Sequence, residues 1–83
     1  MSETIRVRVL FFGATAGEVG KRVDEIEAPA GIASKSIFDR ILTDHPRLST
    51  HKLLFSVNQE YATGKETLKS GDELAIFTAV SGG

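Results

Sequence analysis

The sequence closes on Ser81-Gly82-Gly83, and this stretch is where chemistry is to be sought. Read as a working end, a diglycine does three things together. It has no Cβ atoms, so it can thread a narrow channel in another protein. It leaves a terminal carboxylate unshielded, so an activating enzyme could attach AMP to it. It also reaches backbone geometries closed to other residues. Extended from Ala79 to Gly83, the segment spans roughly 17 Å, enough to enter a neighbour's active site. The expectation is that the Gly83 carboxylate is the reacting group, and that Val80, Ser81 and Gly82 thread into a partner.

Other chemistries find little support. The chain has no cysteine, which removes disulfides, thiolate metal sites and cysteine nucleophiles together. His45 and His51 are the only histidines; six apart, they lack metal-ligand spacing and read as surface or loop residues. Serines are present without a G-x-S-x-G elbow or triad partners. The glycine-rich GATAGEVGKR fails as a phosphate loop, because Thr15 stands where the first glycine belongs and Arg22 where Ser or Thr must follow Lys21. Gly13, Gly17 and Gly20 also miss the dinucleotide spacing. No metal or bound cofactor is expected.

Composition points the same way. Eighty-three residues, 41% hydrophobic and 25% charged with net charge -1, make one small globular domain without a basic stripe for nucleic acid. The longest apolar run, Val9 to Phe12, is too short for a membrane. Arg6 and Arg8 interrupt the apolar stretch where a signal peptide would be continuous. A cytosolic protein is expected, too small for a deep cavity of its own.

The elements that must position the terminus follow from periodicity. In IRVRVLFF, Ile5, Val7, Val9 and Phe11 share one face, and Arg6, Arg8, Leu10 and Phe12 the other. GATAGEVGKR reads as a loop. A weaker strand follows near Arg22–Ala28, in which Val23 and Ile26 break the period of two and leave open a bulge or a misplaced boundary. Ala33, Ile37, Phe38, Ile41 and Leu42 form a helical stripe, with Ser34 as N-cap and an end near Asp44, set by Pro46. After a short linker, Leu53, Phe55 and Val57 alternate. Asn58-Gln59-Glu60 turns into a short strand at Tyr61, and a last strand holds Leu74 to Phe77. This order predicts an α+β chain of the β-grasp, ubiquitin-like type: a mixed sheet of about five strands with one main helix on one face. Residues 1–83 form the single domain, with a flexible tail over 78–83. If the helix covers Val7, Val9, Leu74 and Ile76, then Phe12 and Phe77 project from the opposite face, with Leu10 and Tyr61 beside them. Such an apolar patch on a face that should be polar marks a partner surface.

The segments VLFFGATAGEVG, VNQEYA and GDELAIFTAVSGG resemble, in this order and over Val9 to Gly83, the small subunits of molybdopterin synthase, which are ubiquitin-like sulfur carriers. The resemblance implies that a ubiquitin-activating-type adenylyltransferase and sulfurtransferase uses ATP to adenylate Gly83, and that sulfide equivalents then leave a thiocarboxylate. It also implies a large synthase subunit, in a 2+2 heterotetramer, whose pocket receives the tail and passes sulfur to a cyclic pyranopterin monophosphate to build the molybdopterin dithiolene. The chain is then a carrier rather than the seat of catalysis, and Phe12, Tyr61 and Phe77 face the large subunit. Two departures stand out. Thr78-Ala79 replace a pair of prolines, implying either a more flexible tail or a longer last strand. Ala16-Gly17 stand where the family often has an Arg-Glu pair, which puts in doubt any contact to the activating enzyme carried by that arginine. Sulfur carriers for thiamine thiazole or tRNA thiolation would share the terminal chemistry. A ubiquitin-like modifier would instead join lysines through Gly83, and an interaction module would not need the glycines.

Overall fold

The computed structural model describes residues 3–79. Gly83 and the threading residues Val80, Ser81 and Gly82 lie outside them. The chain runs β1 (Thr4–Phe11), α1 (Ala14–Val19), β2 (Val23–Pro29), α2 (Ser34–Asp44), a 3-10 helix (Pro46–Thr50), β3 (Leu53–Val57), β4 (Glu60–Tyr61) and β5 (Glu73–Thr78). The five strands form one mixed sheet in the order β2-β1-β5-β3-β4. β1 pairs antiparallel with β2 and parallel with β5, which places the two most buried strands side by side. This is the α+β β-grasp architecture that the element order predicted.

The core forms where the alternation of β1 meets the helical stripe of α2. Val7, Val9, Leu74 and Ile76 are fully buried together with Ile37, and Ile41 is nearly so. Phe38 stacks on Phe55 of β3, ring centroids 4.4 Å apart. Leu48 of the 3-10 helix and Leu68 of the β4–β5 connection complete the cluster. Segments outside the strands and the main helix thus supply two core residues.

Three expectations are corrected. The GATAGEVGKR stretch is a short helix, not a loop. Its glycines fall mainly at the ends: Gly13 (φ 60°) turns the chain out of β1, and Gly20 (φ 85°) takes the left-handed conformation that closes a helix, its N–H donating to the Ala16 carbonyl at 2.8 Å. Ser34 is not the N-cap of α2. Ala33 holds that position, and Ser34 is the first helical residue. The backbone N–H groups of Ser34 and Lys35 donate to the carbonyls of Glu66 and Gly64, at 2.8 and 3.1 Å. A distant loop, not a local side chain, satisfies the helix start. β2 pairs with β1 in continuous register without a bulge, because Val23 belongs to the opposite face from Ile26 and Ala28.

Candidate functional site: the open sheet face and the end of β5

In register across the sheet, Val23, Leu10, Ala75, Ser56 and Tyr61 form one rank on the face away from α2. The next rank toward the C-terminal end of β5 holds Phe12, Phe77 and Leu54. The ranks on the other side hold Arg8 between Glu25 and Glu73, then Arg6 opposite Glu27. The open face is therefore divided, charged at one end and apolar at the other.

Phe12 is 51% exposed and Tyr61 74%, and Val23 and Leu54 are also exposed. Phe77 is half-buried, its ring 5.9 Å from that of Tyr61. The structure thus brings Tyr61 and Phe77 together and sets Phe12 on the same face. Leu54 and Val23 were missed as patch members. The strict alternation of β3 would have revealed Leu54, since it lies between Leu53 and Phe55.

The hairpin that presents Tyr61 is tightly fixed. Asn58 and Gln59 both have positive φ, 50° and 72°, the geometry of a two-residue hairpin turn. Asn58 ties this turn to the start of β5: its N–H donates to the Glu73 carbonyl (2.8 Å), and its side-chain oxygen accepts from the Glu73 N–H (3.0 Å). Its amide nitrogen donates to Asp72 (3.1 Å).

The other end of β5 is clamped from both sides. The Ile76 carbonyl accepts from the Phe12 N–H at 3.0 Å and lies 3.1 Å from the hydroxyl of buried Thr15, which also reaches the Phe12 carbonyl at 2.6 Å. On the β3 side, Thr78 pairs with Leu53, and the Ala79 N–H donates to the Lys52 carbonyl at 2.8 Å. Of the two consequences open for Thr78-Ala79, the structure takes the longer strand. Thr78 and Ala79, expected as the first residues of the tail, are thus held against β3. A proline at 79 would lack the N–H that Lys52 receives.

The histidines serve packing and contact. The edge of His45 meets Phe11 at 6.3 Å, and His51 Nε2 lies 3.7 Å from Glu18 of α1. Among the described residues no three potential ligands gather as a metal site, and no helix is long and apolar enough to cross a membrane.

Comparison with known proteins places this geometry. Residues 9–83 match the ThiS family. The molybdopterin synthase sulfur carrier subunit of Homo sapiens is 35% identical over 83 residues, covering 94% of each chain. That of Chlamydomonas reinhardtii is 32% identical, covering 95% of this chain and all of its own. Among solved structures, small archaeal modifier protein 1 from Haloferax volcanii superposes with a TM-score of 0.81 at 26% identity, covering 94% of this chain and 99% of its own. With its match running from β1 through residue 83, the chain belongs to the ThiS family.

Proposed function

We propose that this chain is the sulfur carrier subunit of a molybdopterin synthase, working in the cytosol. The observation that carries the reading is likeness to carrier subunits of that name over nearly the whole chain. The fold agrees with it: β5, clamped on both sides, delivers the backbone at Ala79 to the rim of an exposed apolar patch. In this reading a carboxylate oxygen of Gly83 attacks the α-phosphorus of ATP held by the activating partner and releases pyrophosphate. A sulfide equivalent then attacks the acyl carbon and expels AMP, leaving a thiocarboxylate. Phe12, Tyr61 and Phe77 dock the loaded carrier on the large subunit, where Val80, Ser81 and Gly82 thread toward the pyranopterin. Two sulfurs make one dithiolene, which suits a 2+2 assembly. The carrier itself holds no cofactor, and ATP is spent on the activating partner.

The test is intact mass spectrometry after incubation with an activating enzyme, ATP and a sulfur source. The expected result is replacement of one oxygen by sulfur, mapped to Gly83. An unchanged mass, with the partner active on another carrier, overturns the reading. The likeness to an archaeal modifier protein favours a second reading, in which the same activation ends in an isopeptide bond to a lysine. The neutral Ala79-Val80-Ser81 before the diglycine weighs against it, and a mass gain by target proteins instead of a thiocarboxylate would establish it.

A further inference from the structure

A lysine stands beside the exit of β5. The β3–β5 ladder pairs Leu54 with Phe77 on the open face and Leu53 with Thr78 on the α2 face. The Ala79 N–H, donating to the Lys52 carbonyl at 2.8 Å, extends the ladder by one pair, and alternation returns Lys52 and Ala79 to the open face. Lys52 is exposed and forms no salt bridge among the described residues. It lies one strand spacing, about 5 Å, from the backbone where β5 ends. Four residues follow Ala79. Extended, they span roughly 14 Å, more than that spacing, and Gly82-Gly83 has no Cβ to oppose a turn back. No other lysine among the described residues is so placed. Lys21 precedes β2, two strands away from β5, and is held by Asp24 at 3.1 Å. Lys35 opens α2 and is paired with Asp39 at 2.9 Å. Lys65 and Lys69 lie on the β4–β5 connection, which leads into the opposite end of β5.

We infer that Lys52 is an acceptor for the chain's own activated end, closing an isopeptide ring with Gly83. Once the Gly83 carboxylate is an acyl adenylate, the free amine of Lys52 attacks the acyl carbon. The C–N bond forms and the bond from that carbon to the AMP oxygen breaks. AMP leaves with the electron pair, and the nitrogen gives its extra proton to water. Relative to the unmodified chain the net change is loss of one water, driven by the ATP that the activating partner consumes. Carrying amine and acyl group on one chain makes the attack unimolecular and raises the effective concentration of the amine. Sulfide equivalents compete for the same acyl carbon, so the ring is what activation yields when sulfur is scarce. A closed ring has no end to thread or to load, and closure withdraws the carrier from use. The inference rests on activation of Gly83, which the sulfur-carrier and modifier readings share, and not on the identity of the sulfur acceptor.

The experiment incubates the full chain with the activating enzyme and ATP, with and without a sulfur source, and follows it by intact mass and peptide mapping. Without sulfur, the expected product is lighter than the parent by one water, its digest joins the Lys52 peptide to Gly83, and its yield does not depend on protein concentration. Adding sulfide lowers that yield as the thiocarboxylate appears. Lys52→Arg keeps the charge and removes the nucleophile, and is expected to form the ring at least about tenfold less. Lys21→Arg behaves like the parent. Thermal melts that match the parent chain exclude a folding defect. If the parent gains the thiocarboxylate with sulfur and never loses water without it, the ring is overturned and the carrier reading stands. A water loss that survives in Lys52→Arg, or that maps to Lys21, also overturns the ring. So does a two-chain product that grows with concentration, since the acceptor is then a second copy. If an enzyme active on another carrier leaves the parent unchanged in both conditions, Gly83 is not activated and both readings fall.

Discussion

Glu66 shows how much one side chain can organise without taking part in chemistry. Its carboxylate accepts from the Thr63 N–H (2.7 Å), the Ser34 hydroxyl (2.7 Å) and the Gly64 N–H (3.0 Å), and so joins the 63–66 loop to the first turn of α2. The Thr63 amide and then the Ser34 hydroxyl hold the carboxyl down, at about 2 instead of 4.5. Because the folded value is the lower one, the stabilisation is complete above the unfolded value and disappears as pH falls from about 4.5 toward 2. The melting temperature is therefore expected to drop across that window, and Glu66→Gln to flatten the drop while lowering stability at neutral pH. A melt series from pH 7 to 2 on both proteins checks this. Two glycines make a contrasting pair. Gly64 has φ 97°, and a Cβ there would stand 3.1 Å from Lys35 Cβ. Gly64→Ala should cost roughly 1–3 kcal/mol. Gly17, inside α1, has open space around a new Cβ, so Gly17→Ala should stabilise by about 0.5–1 kcal/mol. Denaturant midpoints separate the two signs.

At the scale of elements, β2 is an edge strand, and its exposed backbone is guarded. The Phe11–Arg22 hydrogen bond sets the alternation, so Glu25 and Glu27 direct their N–H and C=O groups away from β1. Asp24 accepts from the Glu25 N–H at 2.9 Å, Arg40 of α2 donates to the Glu27 carbonyl at 2.7 Å, and Pro29 has no N–H. These devices discourage pairing with a second sheet. The double variant Asp24→Ala/Arg40→Ala is expected to keep its fold by circular dichroism and to self-associate with concentration in sedimentation velocity. None of this could be read from the sequence, because it depends on which pairs in the ladder are hydrogen-bonded. β1 and β3 were legible, since one face of each is buried and alternation records that burial. The main helix was legible in extent for the same reason, and Pro46 fixed its end. Its start was misread because the partners of its first amides lie near residues 64 and 66, beyond the reach of local capping rules. α1 was hidden because its bounding glycines look the same in sequence as loop glycines, and only their φ values show that they terminate a helix. The patch residues Phe12, Tyr61 and Phe77 were legible from alternation.

For the whole molecule, the decisive fact is that a small domain leaves Phe12, Val23, Leu54 and Tyr61 exposed on one sheet face. A chain of this length has a total stability of about 4–12 kcal/mol. Its core is thin enough that losing one fully buried side chain is a large share of that sum. Leu48 is fully buried, and Leu48→Ala should cost about 2–5 kcal/mol, enough to leave a partly unfolded chain at 37 °C. Tyr61 presents the opposite case. With 74% of it exposed, its truncation removes little more than its contact with Phe77, about 1 kcal/mol or less. If the open face exists to be covered by the large subunit, the energies must invert on binding, because exposed aromatics are the groups that a partner desolvates. Tyr61→Ala is thus expected to melt within a few degrees of the parent and to bind the large subunit at least about tenfold more weakly. Phe77→Glu should be weaker still in binding, with a somewhat larger loss of melting temperature because Phe77 is half-buried. Paired melts and titrations read both quantities from the same preparations. A Tyr61→Ala protein that binds normally would mean that the apolar end of the sheet faces something other than the synthase, since no requirement of folding keeps that tyrosine at the surface.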